Sequence, residues 1–253
     1  MGFKYINQIA NPDNLQEFLT LVDLAAGAGQ NVNNAIDLSQ KLHETAPMKV
    51  CLQILNQDAD CAQMLKERYV GPYFDLETML KMPKGSLGWT YAKVLSTLGY
   101  DPQFYRSTEN FKTDADYVTF RVFKTHDLHH ILTGYSLDDL GELGVLSVSV
   151  GQFAYPGFTF LDLMSFLFRF FKNDQAYNKE MTPQEQVKTL NYAFKLVSAG
   201  IDMGQAAKPL FPVKWEENLD RPLDEWREML NIKPALDGPY SWYTREELKA
   251  AIS

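Results

Sequence analysis

Of the four histidines in this 253-residue chain, three fall within five positions, at His126, His129 and His130. Asp127 lies among them, and Glu142 follows twelve residues after His130. This grouping restricts the fold, because such side chains can converge on one point only along particular backbone paths. On a helix, His126 and His130 sit about 40° apart on one face, with Asp127 about 60° further round. His129 falls on the opposite flank of His126 and is expected to stay outside the group. Gly134 is the residue type that ends helices in a left-handed conformation. Ser136, with Asp139 three residues on, reads as a cap that opens the next helix. The expected result is a helical hairpin, with Glu142 in the second turn of the returning helix and able to swing back toward the His pair.

Neutral imidazoles combined with carboxylates suit zinc, with iron, manganese or another divalent ion as alternatives and magnesium or calcium less suited. The zinc-protease signature requires a glutamate directly after the first histidine. Asp127 is one methylene shorter, and that reading is rejected. The adjacent His126-Asp127 pair is also similar to the doublet of all-helical His-Asp phosphohydrolases, which need further histidine and aspartate ligands. The one histidine left for that task is His43. A metal-dependent phosphohydrolase therefore stands as the alternative enzyme reading.

Apolar spacing and cap signals predict helix nearly throughout, giving an all-α, multi-helix bundle in a single domain over residues 1–253. A helix over 12–26 starts at Pro12 after a cap at Asn11 and stops at Gly27, with Leu15, Phe18, Leu19 and Val22 on its apolar face. Shorter helices are expected over 33–42, 48–56, 58–69, 75–81 and 87–99. The metal-bearing helix begins near Asp114, with Tyr117, Phe120 and Val122 or Phe123 packed inward. Residues 146–150 alternate like a strand, but their neighbours favour helix. Thr182-Pro183-Gln184-Glu185 combines a cap, a first-turn proline and a reciprocal glutamate, and launches a helix to about residue 203. Two short helices end the chain, the last opening at Thr244-x-x-Glu247.

A net charge of −8, with no basic run longer than two residues, argues against nucleic-acid binding. It also removes any general attraction to anionic lipid, so membrane contact would have to be apolar or local. Cys51 and Cys61 share no ligand or redox spacing and read as idle thiols in a reducing compartment. With neither a signal peptide nor an Arg-rich presequence evident, cytoplasmic residence is expected, with a peripheral position on the inner membrane as its variant. Residues 143–171 are rich in phenylalanine, yet Gln152, Pro156, Asp162 and Arg169 interrupt them too often for a membrane span. Asp162 and Arg169, seven apart, are expected to form a polar edge on an otherwise buried helix. Phe153, Tyr155 and Phe158 are the rings expected to line a groove for a prenyl tail, in which each methylene-sized unit buried contributes roughly 0.8 kcal/mol.

The full pattern His-Asp-x-x-His, eleven residues, then Glu, resembles the signature of the ubiquinone (coenzyme Q) biosynthesis protein 4 family. M-P-K-G-S-L-G-W-T-Y-A-K-V-L over 82–95, Y-V-T-F-R over 117–121 and L-D-E-W-R-E-M-L-N-I over 223–232 are similar to other stretches of that family. The resemblance implies an all-helical protein with zinc at His126, Asp127, His130 and Glu142. It implies work on polyprenylated quinone precursors at a membrane surface, either in oxidative removal of the C1 carboxyl or as a scaffold that presents lipid to other quinone-biosynthesis enzymes. A homodimer is among the arrangements expected. Zinc has no redox chemistry, so the oxidative step would need iron at the site or oxygen chemistry on the substrate. The chain departs from the pattern at Phe123-Lys124, where the family has an Arg-Glu pair, and at Leu146 and Ser149, which take the places of a lysine and a second acid.

Overall fold

The structure, a computed structural model, describes residues 12–102, 110–172 and 189–252. In chain order its helices are α1 (Pro12–Gly27), α2 (Val32–Lys41), α3 (Ala46–Gln57), α4 (Ala59–Glu67), α5 (Leu76–Met79), α6 (Leu87–Leu98), α7 (Asp114–Thr133), α8 (Asp139–Phe153), α9 (Pro156–Lys172), α10 (Leu190–Ala206), α11 (Leu223–Leu230) and α12 (Glu246–Ile252). Single 3-10 turns occupy Trp215–Glu217 and Trp242–Thr244. Pairing of the β type is confined, among the described residues, to isolated bridges at Ser86–Pro222 and Tyr135–Ser241. The fold is all-α.

Helix α7 runs through the middle, and most of its residues are buried on every side. It starts at a reciprocal cap: the Thr113 hydroxyl accepts from the Asp116 backbone N–H, while the Asp116 carboxylate accepts from the Thr113 N–H. Because α7 carries polar residues into the interior, each needs a partner there. Arg121 donates to Glu216 at 2.6 and 3.1 Å and to Val213 O. Lys124 donates to the carbonyls of Val70 and Pro72 and pairs with Glu216.

The C-terminal end of α7 poses a sharper problem, because a helix leaves its last carbonyls without intrahelical donors. Here that end is buried, and later parts of the chain supply the donors. Arg227 of α11 donates to Leu132 O and Ile131 O, both at 2.9 Å. The Ala235 N–H reaches Thr133 O, the Trp242 N–H reaches Gly134 O, and the Trp242 indole donates to His130 O. Gly134, at φ +84°, packs so closely on the Ala235 backbone that a side chain there would collide with it. Ser136 N–H then bonds Tyr240 O, fixing the short turn into α8.

Among the described residues, helices α8 and α10 make the most extensive helix pairing. Gly200 and Gly204 of α10 lie against the backbone carbonyls of Gly144 and Val148, where a Cβ would clash. The stretch 146–150 lies inside α8, as its neighbours predicted.

Several local expectations need correction. Helix α8 is capped by Asp138, which accepts from the N–H groups of Leu140 and Gly141, while Ser136 donates its hydroxyl to Asp138. Glu142 therefore lies in the first turn, not the second. The Thr244 hydroxyl donates to Gly238 O and Ser241 O instead of capping, and α12 begins at Glu246. On α1 the predicted apolar face is turned outward: Leu15, Phe18 and Leu19 are exposed, and Leu21 is the buried residue. On helix α9, Asp162 is buried instead of lying on a polar edge, Phe158 and Met164 face the core, and Leu163, Phe170 and Phe171 are exposed. The caps expected at Asn11 and at Thr182–Glu185 lie outside the described residues.

Replacing Arg227 by Met keeps the stem but leaves the Ile131 and Leu132 carbonyls without donors. Orphaned buried polar groups cost roughly 1–3 kcal/mol each, so chemical denaturation is expected to show a loss of about 2–4 kcal/mol. An unchanged midpoint would contradict this account of the α7 terminus.

Candidate metal centre

The α7–α8 turn brings three expected ligands together. His126 Nε2 lies 3.0 Å from Glu142 Oε2, His130 Nε2 lies 3.2 Å from Glu142 Oε1, and the two Nε2 atoms are 3.2 Å apart. The imidazole rings stand nearly perpendicular, at 84°, with centroids 4.8 Å apart. His130 Nδ1 is 3.1 Å from Tyr135 O, in the turn that Gly134 begins. With Nδ1–H donated to that carbonyl, the Nε2 lone pair faces the centre, the usual support for a metal-binding histidine. Phe158 of α9 packs on the His126 ring, with centroids 5.3 Å apart.

These side chains form a group with metal-ligand character, their donor atoms all within 4.8 Å of one another. Bond lengths of about 2.0–2.1 Å to a tetrahedral zinc would put neighbouring donors about 3.3–3.4 Å apart. The observed separations are close to that spacing, so the residues present fit a zinc-like ion. Asp127, the fourth expected ligand, does not join the group. The helix turns by about 100° between adjacent residues, and His126 and His130 have already taken the face opposite Glu142. His129 stays outside, as expected: its buried ring packs on Trp215, and its Nε2 has no hydrogen-bond partner.

The electrostatics follow from this crowding. Burial raises the Glu142 pKa, but the two imidazoles beside it prevail and hold the carboxyl far below its ordinary range. Burial lowers the His126 pKa, yet Glu142 outweighs it and the net shift is upward. For Asp127 burial wins, raising its pKa despite the nearby imidazoles. Burial pushes His129 down to about 3, leaving it neutral. The Glu142 side chain is 40% exposed while that of His130 is fully covered, so the centre opens to solvent on the glutamate side.

The three rings expected to line a prenyl groove occupy different ground. Tyr155 and Phe158 are core residues, and the Tyr155 hydroxyl is 2.8 Å from Thr119 Oγ1. Phe153 borders a cleft of about 280 Å³ between α3, α8 and the end of α10, shared with Ile54, Leu55 and Phe211. His43, the further histidine that a His-Asp phosphohydrolase would require, is bound to Asp116 and Thr119. Asp116 precedes His126 by ten helical residues, a rise of about 15 Å. That reading gains no ligand here. Asp162, expected with Arg169 on a polar edge of its helix, is instead buried.

A family model described as "Coenzyme Q (ubiquinone) biosynthesis protein Coq4" matches residues 11–235. The chain belongs to the Coq4 family. It is 29% identical to a relative from Coccidioides immitis over 74% of this chain and 61% of that one. It is 28% identical to one from Nematostella vectensis over 65% of this chain and 74% of that one. The first is named ubiquinone biosynthesis protein COQ4, mitochondrial, and the second ubiquinone biosynthesis protein COQ4 homolog, mitochondrial. The match to the Kluyveromyces lactis protein covers 45% of that relative, so the chain spans about half the length of some curated Coq4 proteins. In fold, the chain is similar to the crystal structure of a candidate ubiquinone biosynthesis protein from the bacterium Nostoc punctiforme, at a TM-score of 0.70 and 22% identity, over 87% of this chain and 97% of that one.

The pKa shifts define a pH window for the metal-free protein. Glu142 is depressed, so its contribution is present above the unfolded value of 4.5 and is lost as pH falls. His126 is raised, so its contribution is complete below 6.5 and is lost as pH rises through the folded value. The stability difference between the wild type and Glu142→Ala, measured by urea unfolding with a chelator present, should be widest between those two pH values. A difference that is flat with pH would contradict the coupling.

Proposed function

We propose that this Coq4 protein holds a divalent transition ion, zinc first and iron as the alternative, on His126, His130 and Glu142. The ring of a polyprenylated quinone precursor would meet that ion at a membrane surface. The observation that carries the reading is the convergence of two Nε2 atoms and a carboxylate at zinc-like spacing, with His130 steered by a backbone carbonyl. Three protein donors leave a coordination position open, as catalytic zinc sites do, whereas structural sites use four. A bound ion would supply Lewis-acid polarisation of a substrate carboxylate or phenol oxygen.

The chain's own residues have distinct parts in this scheme. His126 and His130 stay unprotonated toward the ion, and Glu142 stays ionised between them. Phe158, itself buried, packs on the His126 ring and covers it with apolar surface. Asp127, the fourth ligand the family resemblance implies, is half-buried and lies outside the trio, which leaves that position to a substrate oxygen. Oxidative removal of a C1 carboxyl is the reaction proposed. In it the ring C–C bond would break with loss of CO2, a ring C–O bond would form, and dioxygen would be the oxidant that takes up the two electrons; zinc is not redox-active, whereas iron could mediate that transfer.

Membrane contact is supported by the outward-facing apolar residues. On α9, Leu163, Phe170 and Phe171 are 54%, 57% and 66% exposed, and α1, which packs against α9, adds Phe18 and Leu19. No helix among the described residues is long and apolar enough to cross a membrane. Such a face also favours the scaffold reading, in which Coq4 presents the precursor to other quinone-making enzymes. A second copy of the chain is the other occupant that would cover it.

Metal analysis of the purified protein should find stoichiometric zinc or iron. It should fall to background in His130→Ala and Glu142→Ala, with helical content kept by circular dichroism and quinone synthesis lost in cells that depend on this chain. Metal retained in both variants would overturn the site. If the ion is structural, the same variants should unfold instead. For the surface, Phe170→Glu with Phe171→Glu should weaken flotation with phospholipid vesicles at least tenfold, since burying one such ring contributes about 1.5–3 kcal/mol. Unchanged flotation would remove the apolar face from the account.

A further inference from the structure

His43, in the turn after α2, stands at the end of a line of polar side chains that the candidate metal centre does not use. Its Nδ1 faces Asp116 Oδ1 at 3.3 Å, and its Nε2 is 2.9 Å from Thr119 Oγ1. Thr119 Oγ1 is in turn 2.8 Å from the Tyr155 hydroxyl. Beyond Tyr155 lies Ser39 of α2, close enough for its hydroxyl to act on the phenol. Ser39 Oγ is nonetheless buried with no hydrogen-bond partner among the described residues. Thr119, Tyr155 and Ser39 are all buried, so the line carries hydrogen bonds inward from His43 instead of offering a nucleophile to a substrate.

Each link has a direction set by the one before it. Burial works against ionisation of Asp116, but its hydrogen bonds from Thr113 and Lys112 and the nearby His43 prevail and hold the carboxyl below its ordinary range. A neutral His43 therefore turns Nδ1–H toward that carboxylate and leaves Nε2 as an acceptor. Thr119 donates to Nε2, the Thr119 oxygen accepts the Tyr155 O–H, and no donor is left for Ser39. In the imidazolium both ring nitrogens donate. Thr119 must then accept from Nε2 and give its own proton to Tyr155, which frees the Tyr155 O–H for Ser39, the group without a partner. A side chain at Gly157 would strike Ser39 Oγ, so that serine sits against the first turn of α9.

We propose that His43 is a pH-responsive group of this fold, whose uptake of a proton reverses the hydrogen bonds through Thr119 and Tyr155 and so joins Ser39 of α2 to Tyr155 at the foot of α9. Tyr155 seats that helix: its carbonyl accepts the N–H and the hydroxyl of Thr159, and its ring packs on Phe158 with centroids 5.0 Å apart. Phe158 covers His126, so the joint lies two ring contacts from the candidate centre and includes none of its ligands. The charged groups that face His43 are Asp116 of α7 and Glu44 beside it in the turn. Burial lowers the His43 pKa, the two carboxylates oppose, and the net shift is downward from 6.5, so the ring is neutral at pH 7 and gains its proton in mild acid. Cys51 of α3 acts on Tyr155, but burial pushes that thiol up to about 12 and it stays uncharged.

The test follows the His43 ring by NMR through an acid titration of the full chain with a chelator present, its signals assigned by their loss in His43→Gln. Ser39→Ala removes an acceptor that the charged form alone uses, so it should lower the His43 pKa by about 0.5–1 unit, the effect of one hydrogen bond on one protonation state. Tyr155→Phe should lower it likewise, because Thr119 then has no acceptor for its proton in the charged form. With Thr119→Val in place, Ser39→Ala should shift His43 no further, since the line is already cut. A His43 pKa indifferent to Ser39→Ala, as a merely structural serine would leave it, overturns the reversal. So does a Ser39→Ala shift that persists in the Thr119→Val background, which would make the effect one of proximity. Should Thr119→Val not fold, Tyr155→Phe serves as the cut, and Ser39→Ala must add nothing to it. Every readout is taken on metal-free protein, so failure of the metal reading leaves this inference standing.

Discussion

The buried C-terminal end of α7 is the constraint around which this molecule is arranged. A helix that stops inside a protein must find donors for its last carbonyls, and bulk water is not there to provide them. In this chain Arg227, Ala235 and Trp242 provide them, from positions more than 90 residues downstream. Once that end is fixed, Gly134 can turn the chain, Tyr135 can offer its carbonyl to His130, and Glu142 can return against the histidines. The centre is thus held by the closing of the C-terminal segment onto α7, not by the hairpin alone.

That dependence explains what could be read from the residues and what could not. The bounds of α7 and the pairing of His126 with His130 follow from helical period and a glycine stop, which are local facts. The inward turn of Tyr117, Phe120 and Phe123 was legible for the same reason. The cap of α8 was misplaced by two residues because Ser136 and Asp138 are both good caps, and the choice rests on Ser136 donating to Asp138. Arg227 as a cap for α7 was beyond local reading, since nothing near it in sequence marks a partner on a distant helix.

The outer faces were harder still. Periodicity shows that α1 and α9 each have an apolar side and a polar side, but it does not say which side meets the core. In α9 the interior takes Asp162, held by Ser147, and solvent meets Phe170 and Phe171. Phe158 and Met164 of the same helix still face the core, so the assignment fails at Asp162 and at the helix's last turn, not along its whole length. Asp127, too, escapes local reading, since it stays out of the trio. A rule that places three residues within one arc of a helix does not tell which two of them a partner helix will reach.

The central claim is that His126, His130 and Glu142 share one cation, and X-ray absorption at the metal edge of the purified full chain tests it most directly. The account predicts a first shell of nitrogen and oxygen at about 2.0–2.1 Å, with the multiple-scattering pattern of two imidazoles that drops to one in His130→Ala. A spectrum with no imidazole signature, or one indifferent to that substitution, would contradict it.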